Sequence, residues 1–107
     1  MTFDEFAQLA FALGEVQEHV KKTEIDLTRK GGHIARLRSK GTIIAIRLPW
    51  DVIDELLAEP SDTFFVTDHY RGSPYIVAKI ASLDKGVAKR LILESWEIAP
   101  YDLPKRY

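Results

Sequence analysis

Hydrophobic and polar positions change their period several times along the chain, and each change marks an element. Thr2 followed three residues later by Glu5 forms a capping-box signature, and Phe3, Phe6, Leu9, Ala10 and Leu13 then recur at helical spacing. This predicts a first helix over residues 3–13, stopped by Gly14. Residues 15–22 have little periodicity and read as a loop or a frayed turn. From Thr23 the period becomes two: Ile25, Leu27 and Arg29 alternate with Glu24, Asp26 and Thr28. Lys30-Gly31-Gly32-His33 reads as a tight turn, because paired glycines accept the positive φ values that a hairpin needs. The next strand, 33–39, sets Ala35 and Leu37 on one face and Ile34, Arg36 and Arg38 on the other. Lys40-Gly41 turns into a third strand, 42–48, with Ile44, Ile46 and Leu48 alternating with Ile43, Ala45 and Arg47.

Pro49 ends that run, and Trp50-Asp51 opens a short acidic helix with Val52, Ile53, Leu56 and Leu57 as its apolar stripe. The aromatic and β-branched run 63–67 predicts a fourth strand, and 75–81 a fifth, with the connector His69-Tyr70-Arg71-Gly72-Ser73-Pro74 between them. Asp84 caps a last helix over 85–98, and Pro100 and Pro104 forbid its continuation. The expected order is α-β-β-β-α-β-β-α. Its economical arrangement is an α+β fold: a five-stranded antiparallel sheet with helices packed on one face. The other face is then left for water or a partner.

A chain of 107 residues is expected to form one domain over 1–107, with 46% apolar residues supplying a single core. It contains no cysteine, which excludes disulfides, thiolate metal sites and thiol nucleophiles. The N-terminal stretch is acidic and amphipathic, unlike a signal peptide, and no apolar run approaches the roughly 20 residues that span a bilayer. The expectation is a cytoplasmic protein without membrane association.

Net charge is only −1, but charge is segregated. Residues 21–49 carry eight Lys or Arg against Glu24 and Asp26, whereas residues 50–68 carry six carboxylates and no base. Segregation of this kind can build faces of opposite sign. Period-two alternation would gather Arg36, Arg38, Arg47 and Lys79 on the uncovered sheet face, as a row able to neutralise a few phosphates. The same alternation also simply keeps an open face wet. His69, Tyr70 and Arg71 could stack a base or hold a phosphate. Equally, Gly72 and Pro74 could shape a turn while Tyr70 caps the core and Arg71 pairs with a carboxylate. Trp50 and Trp96 read as anchors at the edge of the core.

His19, His33 and His69 are widely separated, so no metal is expected, and no cofactor either. No G-x-S-x-G, phosphate-loop, dinucleotide or H-E-x-x-H motif occurs, and no catalytic residue is expected.

Residues Gly31 to Leu37 (G-G-H-I-A-R-L), the run D-T-F-F-V-T-D-H-Y-R-G-S-P-Y-I-V-A-K-I over 62–80, the late S-W-E-I-A-P and the opening M-T-F-D-E-F resemble the MmcQ/YjbR family over nearly the whole chain. The stretch after the first helix departs from that pattern, reading Leu13-Gly14-Glu15. The resemblance implies a compact CyaY-like (frataxin-like) fold, also likened to a double-wing DNA-binding domain. It implies DNA binding as the family label and brings no catalytic residues. The expected function is therefore a non-enzymatic binding module, with nucleic acid as the first partner. The alternatives are a protein-interaction module using the acidic helix and basic sheet, as a monomer or weak homodimer, and a sensor holding a small anionic ligand near the 69–74 loop.

Overall fold

The computed structural model describes residues 1–106. Its elements run α1 (Phe3–Phe11), β1 (Val16–Lys21), β2 (Glu24–Arg29), β3 (Gly32–Arg38), β4 (Ile43–Arg47), α2 (Trp50–Leu57), β5 (Phe64–Phe65), β6 (Tyr75–Lys79) and α3 (Lys85–Ile98). Single 3-10 turns at Ser39–Gly41 and Ile80–Ser82 follow β3 and β6. The α+β class and the antiparallel sheet match expectation. The strand count does not: the sheet has six strands in the order β1-β2-β3-β4-β6-β5. The extra strand is β1, in the stretch expected to be a loop, and it pairs with β2 along its whole length.

Local signals at the helix ends are realised as bonds. The Thr2 hydroxyl accepts from the Glu5 N–H at 3.2 Å, and the Glu5 carboxylate accepts from the Thr2 N–H at 2.9 Å. Asp84 accepts from the Val87 N–H at 3.0 Å at the start of α3.

The helices cover one face of the sheet. Phe6 and Ala10 of α1, Ile53 of α2, and Leu91 and Ile92 of α3 close over Leu27, Ile44, Ile46, Leu48 and Ile76, all essentially inaccessible to water. Each such aliphatic side chain contributes about 2 kcal/mol through removal from water.

One irregularity changes which residues face that core. Leu27 pairs with Ala35 but Thr28 pairs with His33, so Ile34 is an extra residue in β3. The bulge sends Ile34 into the helix-side core beside Ala35, and it corrects the expectation that Ile34 shares a face with Arg36 and Arg38. It also releases the Ile34 carbonyl from the ladder, where the fully buried Ser95 hydroxyl donates to it at 2.9 Å.

The opposite face is not bare. The segment after β5 crosses it, and buried Tyr70 packs there against Ala45 and Val77, flanked by Ile43, Phe65 and Tyr75. The expectation of a wholly uncovered sheet face is corrected accordingly: an aromatic loop covers its β4–β6 side.

Candidate anion-binding cleft

Strand pairing decides which side chains meet on the loop-covered face. Asp26 is opposite Arg36, Arg36 opposite Ala45, and Ala45 opposite Val77, so a band of charge on β2 and β3 adjoins an apolar band on β4 and β6. The loop that closes over the apolar band is held by turn bonds, in which Tyr70 and Arg71 donate their N–H groups to the Thr67 carbonyl at 3.1 and 3.0 Å. Gly72 takes a φ of +81°, and a Cβ there would run into the Arg106 carbonyl oxygen, so only glycine fits.

Between band and loop lies a cleft of about 550 Å³, bordered by Glu24, Arg36, Arg38, Ile43, His69 and Tyr70. The His69 ring stands edge-on to Tyr70, with centroids 4.7 Å apart, and Tyr70 lies 5.0 Å from Tyr75. The Tyr75 hydroxyl is 2.9 Å from Nδ1 of His33.

The cleft arginines are already engaged. Arg36 Nε donates to Asp26 at 3.2 Å. Arg38 reaches Glu24 at 3.2 Å and Asp26 at 2.9 Å, and its third nitrogen donates to the Leu37 carbonyl at 2.8 Å. Each of the three nitrogens of Arg38 is thereby engaged, whereas the two terminal nitrogens of Arg36 bond to no protein group among the described residues. Burial opposes ionisation of Asp26, but the hydrogen bonds and charges of Arg36 and Arg38 outweigh it and hold its carboxyl below the ordinary value. Burial, reinforced by Arg36, holds the His33 imidazole below its ordinary value despite nearby Asp26. His33 is therefore neutral at pH 7, and its 4.0 Å approach to Asp26 is not an ion pair.

The residues expected to act together separate into three places. Arg36, Arg38, His69 and Tyr70 meet at the cleft. Arg47 lies towards the other end of the sheet, where it donates to the carbonyls of Ile98 and Ala99 at 3.2 and 3.3 Å and to that of Tyr101. There it neutralises the C-terminus of α3. Arg71 lies on the far side of the loop, paired with Asp68 at 2.9 Å. Lys79 is exposed at the end of β6. The single row of four free bases is thus corrected: three of them have partners, and Arg47 belongs to the helix end.

Strand direction gathers other cations instead. β1, β3 and β6 end, and β2 and β4 begin, at the same edge of the sheet, the one beside the cleft. Lys21, Lys22, Lys40 and Lys79 all lie there, all exposed, and none reaches a carboxylate among the described residues. They spread across five strands, about 20 Å. Lys22 and Lys40 occupy left-handed positions in their turns, with φ of 56° and 54°. The sequence held a signal for this rim, since every one of these lysines closes a strand or sits in the turn beyond it.

A hollow of about 560 Å³ on the other side of Tyr70, between α2 and the loop, is mainly apolar. The cations at its rim are engaged: Arg106 grips Asp54 at 2.9 and 3.1 Å and lies over the Trp50 ring, while Arg71 holds Asp68. Trp50 and Trp96 act as anchors, donating to the carbonyls of Pro104 and Gly14. Among the described residues no three His, Asp or Glu side chains cluster to hold a metal, and no helix is long and apolar enough to cross a membrane.

No family model and no curated protein matches this chain.

Proposed function

We propose that this chain is a non-enzymatic, cytoplasmic binding module of the MmcQ/YjbR type that takes a nucleic-acid strand at the lysine-bearing edge of its sheet. One observation carries the reading. Four exposed lysines without carboxylate partners share an edge with a cleft that presents Arg36, His69 and Tyr70. Lysines of this kind draw the phosphate backbone, and the exposed His69 ring beside them offers a base a surface to stack on without demanding its identity. The paired arginines fix the limits of the reading. Arg38 is committed to Glu24 and Asp26, so phosphate contacts fall to the lysines and to the open nitrogens of Arg36. Binding is then modest, with a shallow salt slope set by the few phosphates engaged.

Fluorescence anisotropy with a labelled single-stranded oligonucleotide, repeated with its duplex, tests this at low and physiological salt. Binding at low salt is expected, weakened about tenfold or more by Lys40→Glu/Lys79→Glu and by Arg36→Glu, with a shallower salt slope in the lysine variant. No binding at low salt, or variants that bind like the parent, would end the proposal. The cleft volume of about 550 Å³ also suits a small molecule. Stabilisation by mononucleotides or organic phosphates in a thermal-shift screen, without oligonucleotide binding, would favour the small-anion sensor.

A further inference from the structure

The β1 strand is the edge of the sheet, and among the described residues no element of the chain pairs with its outer side. Five of its six residues are exposed along both faces. An edge strand turns the N–H and C=O of every second residue outwards, and those groups template another strand. Three of the exposed large apolar residues lie on or just before this edge: Phe11 is 42% exposed, Leu13 37% and Val20 62%. Val20 is opposite Ile25 and so shares the helix-bearing side of the sheet.

We propose that two copies of this chain pair antiparallel through β1, joining their sheets with Val20 opposite Val20. The register follows from symmetry and charge. A two-fold axis perpendicular to the sheet keeps both helix layers on one side, so opposed residues must have the same orientation. Centring the axis at Glu18 would oppose two carboxylates, and centring it at His19 would oppose two imidazoles and set Glu18 against Val20. Centring it at Val20 opposes the two valines and His19 to Lys21, and it brings each Glu18 alongside Lys22 of the other copy, the first residue of the turn beyond β1. That register alone places each Glu18 against a cation and buries the exposed valine. The overlap runs only from Glu18 to Lys22, shorter than contacts that bury the roughly 1,000 Å² of a specific interface, so the dimer is weak and depends on concentration.

Sedimentation velocity or light scattering of the intact chain over a wide concentration range tests the pairing. A monomer–dimer equilibrium is expected, with Val20→Asp weakening association at least tenfold. Glu18→Lys and Lys22→Glu should each weaken it, and the double exchange Glu18→Lys/Lys22→Glu should restore it. All of these positions are exposed, and melting curves establish that each variant folds. A monomer at every concentration, a dimer untouched by Val20→Asp, or a double exchange no better than the singles would overturn the register. Arg36→Glu should leave the mass unchanged, so failure here is distinct from failure of the cleft to bind.

Discussion

The two faces of this sheet solve the same problem by opposite means. On the helix side, Ile44, Ile46, Leu48 and Ile76 meet α1 and α3 in a continuous apolar layer with no water access. On the other side, Asp26 gathers Arg36 and Arg38, His33 meets the Tyr75 hydroxyl, and only Tyr70, Ala45 and Val77 form a small apolar patch under a loop. The difference teaches where stability resides and where function can be added. An interior of interlocked aliphatic groups tolerates little change. A half-wet ion-pair network contributes less to stability but leaves donors that can be handed to a ligand.

Ile46→Ala should break the comparison most heavily. It opens a cavity in the helix-side layer and should cost roughly 2–5 kcal/mol in a denaturant titration, enough to unfold a marginal domain. Asp26→Asn, on the other face, should cost only about 1–2 kcal/mol, because the two arginines it leaves are partly solvated. It should also tighten oligonucleotide binding several-fold by releasing Arg36, and a variant that bound no better would show that the arginines do not meet the ligand.

On the loop-covered face, acid should act through two groups. His33 is held below 6.5 in the fold, so the unfolded chain takes up its proton first, and stability falls as pH drops from about 6.5 towards the lowered value. Asp26, held below 3.8, adds a contribution present above that value and lost as pH falls through its folded one. Melting temperature measured from pH 8 to 3 should therefore decline in two stages, and His33→Phe should flatten the first. The smallest effect belongs to the exposed Arg71–Asp68 pair, whose removal by Arg71→Ala should change stability by no more than about 0.5 kcal/mol.

How much could be read in advance depended on burial. β3 and β4 each turn one face to the helix-side core, so their alternation was plain. β1 buries neither face, so Gln17, Glu18, His19, Val20 and Lys21 carry no period, and a strand was read as a loop. Ile34 misled for the opposite reason: strict alternation placed it with Arg36, and nothing local announces that a bulge shifts the count. At the candidate site, Arg36 and Arg38 on the sheet and His69 and Tyr70 on the loop were singled out from residue type as two separate candidates, and their meeting at one cleft was not legible. That Arg47 would serve the end of α3, fifty residues later, was not legible either, because its acceptors are backbone carbonyls and carry no sequence signature.

The amino-acid order alone determined the N-terminal caps of α1 and α3, the glycine turns and the apolar stripes, since these are contests between neighbours a few residues apart. Tertiary structure decided which cations stay free. Whether a guanidinium faces water or a carboxylate depends on strand register and on a loop arriving from thirty residues away. Those long-range pairings turned the expected row of arginines into an engaged network and left the lysines of the sheet edge as the charges open to a partner.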